Sequence, residues 1–177
     1  MKITQIETIP VTVPINHSRA IRSGRGYHKE SPFLLIKVHT DEGLVGLGEV
    51  SCTPHWSGED QFTSAHLIER YLAPLLIGQD PTQVERLIRL IQRSIANNPF
   101  TKAALEMAFW DILGKVANLP VYQLLGGAVR DFVTTKYSVS GLEPPQAAEI
   151  AAWAVDQGFR AMKVKVRVPR HESQGWD

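Results

Sequence analysis

The sequence predicts an α+β fold: a three-stranded antiparallel meander, a set of helices, and then a single βαβ unit. Three observations carry that reading. Short apolar runs separated by turn residues fill the first fifty positions, and an i, i+3, i+4, i+7 apolar pattern replaces them further on. After Gly126-Gly127 the rhythm changes again, to strand, helix and strand.

Strand one is read from Ile9, Val11 and Val13, which alternate with polar or small residues, while Pro10 and Pro14 point to an edge strand. Phe33–His39 is the second strand. Thr40-Asp41-Glu42-Gly43 supplies turn chemistry, and Leu44–Val50 returns as the third. Gly46 and Gly48 inside that strand signal a bulge or a close backbone approach. Between strands one and two, Ile15–Glu30 reads as a long polar loop, too long for a hairpin turn.

Ser57-Gly58-Glu59-Asp60 carries an S-x-x-[DE] helix start, and an apolar-rich stretch runs from it to Ile77-Gly78. Asp80-Pro81-Thr82-Gln83 reads as a second start, with Asp80 as N-cap and Pro81 at the first helical position. Val84, Leu87, Ile88, Ile91 and Ile95 then line one buried face. Asn98-Pro99 opens a third helix through Ala117. It is apolar on most sides, which predicts burial between two layers, and Ala103, Ala104, Ala108 and Gly114 allow close packing. Beyond Gly126-Gly127, the strands Val133–Val139 and Ala161–Val166 flank a helix at 145–157 that Gly158 terminates.

Composition excludes several classes of function. The 177 residues are 44% hydrophobic and 21% charged, with a formal net charge of +1, so the electrostatic footprint of a nucleic-acid binder is missing. One cysteine, Cys52, excludes an internal disulfide framework and a Cys-rich zinc site. The opening residues lack the apolar run of a signal peptide, and no stretch approaches the roughly 20 apolar residues of a membrane span. A soluble, reduced, cytoplasmic protein is expected, with no nucleic-acid or membrane partner.

Phosphate-loop, zinc-protease and nucleophile-elbow motifs are absent, and the six histidines have no ligand spacing. Two features remain. No acidic residue falls between Glu7 and Glu30, where Arg19, Arg22, Arg25 and Lys29 accumulate with His17 and His28. Such a loop is either a solvated segment or a pointer to a small anionic ligand. In Lys163-Val164-Lys165, strand alternation puts both lysines on one face, about 6.6 Å apart along the backbone. Two ammonium groups so placed disfavour each other's charge, which would make a neutral lysine available as a base. The plainer reading is an edge strand guarded by lysines.

The run Ala103-Ala104-Leu105-Glu106-Met107-Ala108-Phe109-Trp110-Asp111-Ile112-Leu113-Gly114-Lys115, followed by Leu119-Pro120-Val121-Tyr122-Gln123-Leu124-Leu125-Gly126, resembles the signature of the mandelate racemase/muconate lactonising family of the enolase superfamily. Thr101 stands where the pattern usually has Ala. The meander, the helices, the Gly-Gly junction and the K-x-K fit the resemblance, and only the tail after Val166 does not. Asp111 and Lys115 could be a simple i, i+4 ion pair, and the signature residues look mostly structural.

The resemblance implies a capping domain over residues 1–127 and, over 128–177, the first βαβ unit of an incomplete (β/α) barrel whose active site would lie at its C-terminal mouth. It implies Mg²⁺-dependent abstraction of the proton α to a carboxylate, with Lys165 as base and Lys163 as the neighbour that tunes it. The outcome would be racemisation, epimerisation or cycloisomerisation, nearest the muconate-cycloisomerase-like group, with acid-sugar dehydration as the enzymatic alternative. Arg19, Arg22, Arg25 and Lys29 would lie on a mobile specificity loop facing a small carboxylate substrate, and residues 52–58 on a second loop that closes over it. The family's metal ligands lie on later barrel strands, so none is expected here, and the residues after Asp131 are far fewer than the roughly 250 of a full barrel. The loss of pattern from Arg167 to Asp177 suggests a frameshift, a truncated gene or a gene-call fragment. The chain alone is therefore expected to be inactive, and the full-length protein a homo-oligomer. The alternative from another class is a capping-domain remnant that serves as a binding or oligomerisation module.

Overall fold

A computed structural model describes residues 1–16, 21–23, 26–140 and 143–165. The chain divides into two compact units, Met1–Val13 with Pro32–Val129, and Pro14–Ser31 with Arg130–Asp177.

The first unit is an antiparallel sheet covered by helices. Its strands are β1 (Ile3–Pro14), β4 (Glu30–Thr40) and β5 (Val45–Ser51), in the spatial order β1-β4-β5. Pro10 and Pro14 sit on an edge strand, where a missing N–H breaks no ladder bond. β1 is longer than its alternating apolar core, because Ile3 exchanges backbone bonds with Gly78 and Gln79. Leu34, Ile36 and Val38 are buried on one face of β4, opposite Val50, Gly48 and Gly46 of β5. The 40–43 turn closes with Thr40 N–H donating to Leu44 O and Gly43 at φ +80°.

Helices follow as α1 (Pro54–Ser57), α2 (Gln61–Leu67), a π-helical turn (Ile68–Leu72) and α3 (Ala73–Leu76). Here the S-x-x-[DE] expectation needs correction: Ser57 ends α1, and Asp60 caps α2 by accepting from Thr63 N at 2.8 Å. The Asp80 start is also displaced. Asp80 Oδ1 accepts from Thr82 N and Oγ1, closing a local turn, and α4 (Val84–Ser94) begins only after Gln83. Asp and Thr side chains bond nearby backbone in turns as readily as at helix starts. The buried face of α4 is as expected, with Val84, Leu87 and Ile91 in the core.

The long helix α5 (Pro99–Ala117) matches its expected bounds and packs on β5, and the short α6 (Val121–Leu124) follows it. A Cβ at Gly48 would overlap the Ala104 carbonyl, and one at Gly46 would overlap the Ala108 carbonyl and lie 2.7 Å from Ile112 Cγ1. The two glycines mark a close backbone approach; the β4–β5 register runs through them unbroken, without a bulge. Burial between two layers does not hold: Ala104, Leu105, Ala108, Phe109 and Ile112 are buried, while Ala103 and Met107 on the other side are exposed. Apolar character all round the helix therefore does not translate into burial all round it.

Asp111 and Lys115 form the i, i+4 pair at 2.7 Å, and both also reach the sheet. Asp111 Oδ2 accepts from Leu47 N at 2.8 Å, and Lys115 Nζ donates to Val45 O at 2.6 Å. The pair thus satisfies backbone groups on the outer edge of β5 that no strand covers.

In the second unit, β2 (Ile21–Ser23) and β3 (Gly26–His28) form an antiparallel pair within the segment expected to be a plain loop. Each strand is only three residues long, below the length at which alternation is visible. The βαβ unit consists of β6 (Lys136–Val139), α7 (Pro144–Asp156) and β7 (Ala161–Val164), with the two strands parallel. Residues 133–135 precede β6 as irregular chain rather than strand. Val166 and the tail lie outside the described residues. Among the described residues, no helix is long and apolar enough to cross a membrane.

Candidate active site

The parallel register pairs Lys136 with Ala161, Tyr137 with Met162, Ser138 with Lys163 and Val139 with Val164. Paired residues point to the same side of a sheet, so β6 and β7 have one polar face with Lys136, Ser138 and Lys163, and one apolar face. Lys165 N–H donates to Val139 O at 3.2 Å, carrying the ladder one step further and returning Lys165 to the polar side. Helix α7 covers the apolar face: Tyr137 meets Trp153 and Phe159 with ring centroids 5.3 Å apart, and Val139 and Ala154 are fully buried. Tyr137 and its aromatic partners thereby hold the strand pair in the orientation that presents the lysines.

Lys163 is exposed and Lys165 half-buried. The charge of Lys163 holds the pKa of Lys165 below the ordinary lysine value, with burial, hydrogen bonding to Lys163 and the charge of Lys136 acting in the same direction. Lys136 Nζ donates to Ser138 Oγ at 2.8 Å. Neither Lys136 nor Ser138 was singled out from the sequence, although the alternation Lys136-Tyr137-Ser138-Val139 is the signal that puts them on one face.

The basic-loop residues are distributed as follows. Arg19 and Arg25 lie outside the described residues; Arg22 is in β2 opposite Tyr27; and Lys29 is exposed between β3 and β4, its carbonyl accepting from Ile15 N at 2.9 Å. The structure brings Lys163 and Lys165 together with Lys136, and places Arg22 and Lys29 on the hairpin segment. In the first unit, the segment expected to close over the substrate contains α1, with Trp56 exposed at one end and Cys52 buried at the other. Burial pushes the Cys52 thiol pKa up, which disfavours the thiolate. Among the described residues, no group of three or more His, Cys, Asp or Glu side chains could hold a metal ion.

Residues 5–126 match the family described as mandelate racemase / muconate lactonizing enzyme, N-terminal domain. The N-succinyl-L-Arg/Lys racemase of Bacillus cereus is 34% identical over 166 residues, covering 94% of this chain and 44% of that protein. A solved structure of the Bacillus cereus racemase superposes with a TM-score of 0.89 at 33% identity, over 96% of this chain and 45% of that one. A D-galactonate dehydratase family member from Streptomyces bingchenggensis is 37% identical over 142 residues, 77% of this chain and 33% of that protein. A dipeptide epimerase from Enterococcus faecalis, solved in complex with Mg and the dipeptide L-Leu-L-Tyr, superposes with a TM-score of 0.87 at 30% identity, covering 95% and 46%. Muconate and chloromuconate cycloisomerases are also among the matches. The chain spans less than half the length of these relatives.

Proposed function

Because the chain belongs to the mandelate racemase/muconate lactonizing enzyme family of the enolase superfamily, we propose that it forms part of an enzyme that removes the proton α to a carboxylate, with Lys165 as the base. The observation that carries this reading is the lysine pair on the polar face of β6–β7, where the charge of Lys163 favours the neutral amine of Lys165. In the step assigned to Lys165, the substrate Cα–H bond breaks and an N–H bond forms at Nζ, while the electron pair remains on the substrate. Lys163, as the neighbouring cation, lowers the basicity of Lys165 and faces the substrate carboxylate. Arg19, Arg22, Arg25 and Lys29 are assigned to the recognition of that carboxylate. Mg²⁺ enters this reading only as the cofactor of the longer protein. No step assigned here runs through it.

The isomerase outcome, whether racemisation, epimerisation or cycloisomerisation, is the leading reading. Dehydration is the second, favoured by the likeness to the dehydratase family member. The test is deuterium incorporation from D₂O at the α-carbon of carboxylate substrates, using a full-length protein that contains this sequence. Lys165→Ala is expected to abolish exchange, and retention of the wild-type rate removes Lys165 from the base role. A base must be deprotonated to act, so exchange is expected to fall as pH drops through the Lys165 pKa, with a midpoint below that of an ordinary lysine. Inverted product, lactone or loss of water then distinguishes the outcomes.

A further inference from the structure

β5 pairs with β4 on one side, and among the described residues no strand pairs with its other side. On that outer side Leu47 N–H donates to Asp111 Oδ2 at 2.8 Å, and Val45 O accepts from Lys115 Nζ at 2.6 Å. The two side chains also bond each other at 2.7 Å. By alternation, Glu49 and Ser51 turn their backbone groups outward as well, while Gly46, Gly48 and Val50 bond β4. In a parallel ladder, one residue of an incoming strand would donate its N–H to Val45 O and accept from Leu47 N–H with its C=O. Lys115 and Asp111 reproduce those two bonds with side chains, from a helix packed on the same strand. An antiparallel newcomer needs the same two backbone groups.

We propose that Asp111 and Lys115 guard this edge: they hold the hydrogen-bonding positions that a second copy of this chain would need to join its own β5 to this one. A second copy fits because an antiparallel pair of β5 strands about a two-fold axis at Leu47 is self-complementary, each Leu47 N–H meeting the other's C=O. The surroundings favour such a joint once the edge is open. Leu47 is 56% exposed, and Val45 and Leu35 on the same face of the sheet are only half-buried. The ion pair offers an incoming strand no free backbone donor or acceptor at these positions, and charge on an edge discourages strand addition. The other edge of the sheet is blunted differently, since β1 carries Pro10 and Pro14, which have no N–H to offer. This inference is independent of the role assigned to Lys165.

The experiment compares the 177-residue chain with its Asp111→Ala/Lys115→Ala variant by size-exclusion chromatography with light scattering over a series of concentrations. As concentration rises, the double variant is expected to move toward twice the mass that the unsubstituted chain keeps. Association through general destabilisation is separated by adding Leu47→Pro, which removes the outward N–H and leaves the bonds to β4 in place. The triple variant is expected to return to the mass of the unsubstituted chain. Lys115→Arg keeps a charged donor and is expected to behave as the unsubstituted chain does. Helical circular dichroism reports whether each variant is folded. If the double variant loses it, Lys115→Met, which leaves Asp111 on Leu47, takes its place under the same criteria. A variant whose mass follows the unsubstituted chain at every concentration, or whose association survives Leu47→Pro, overturns the proposal.

Discussion

The carboxylate of Glu59 is 1% exposed and accepts from Phe100 N at 3.0 Å, Thr101 N at 2.8 Å and Thr101 Oγ1 at 2.7 Å. Those are the first backbone donors of α5, since Pro99 has none and Asn98 makes no side-chain cap. A buried anion at a helix N-terminus is stabilised by the aligned peptide dipoles, which offsets part of its desolvation. Thr101 Oγ1 also lies 2.9 Å from Ser64 Oγ, so the threonine completes a buried polar group of three side chains. Glu59→Ala leaves the Phe100 and Thr101 amides without a partner, and the Thr101 hydroxyl with Ser64 alone, and is expected to destabilise the first unit by about 3 kcal/mol. Glu59→Gln, which retains one acceptor, is expected to cost about 1–2 kcal/mol by the same reasoning. Urea denaturation checks both, and equal stability of the alanine variant and the wild type would show that the network is dispensable. Glu59 was visible in the sequence only as one letter of a helix-start motif. Its real partner lies some forty residues away, beyond what local spacing can show.

At the scale of elements, the docking of α5 on β5 depends on atoms that are missing. Gly46 and Gly48 present bare backbone to Ala104 and Ala108, and the signature pair Asp111 and Lys115 then bonds the outer edge of the same strand. The small residues were legible, as was a close backbone approach. The partner was not, because alternation tells which face a residue is on and nothing about what covers it. Gly48→Ala would force the strand and helix apart and is expected to cost about 3 kcal/mol, in the range of overpacked cores. Gly43→Ala, at a turn with open space around it, should cost about 1 kcal/mol through its positive φ alone. Thermal melts of the two variants are expected to rank them in that order, and the reverse ranking would mean that the helix–strand approach is not tight.

At the scale of the whole molecule, the buried cluster from Ile3 to Ile112 belongs wholly to the first unit. A polypeptide of residues 1–129 is therefore expected to unfold in one cooperative transition with its helical circular dichroism retained. A broad, non-cooperative melt would show that its core needs residues outside it. The meander, the bounds of α5, the buried face of α4 and the shared face of Lys163 and Lys165 were determined by the sequence alone, since each follows from a period of 2 or 3.6 within one segment. So was membership of the family, carried by a long run of neighbouring residues. The tertiary structure alone decided that Glu59 caps α5, that the Asp111–Lys115 pair serves the edge of β5, and that Lys136 shares a sheet face with Lys163. Each of these joins segments at least twenty-seven residues apart, and such contacts are set by how faces dock and strands register, which no local period encodes.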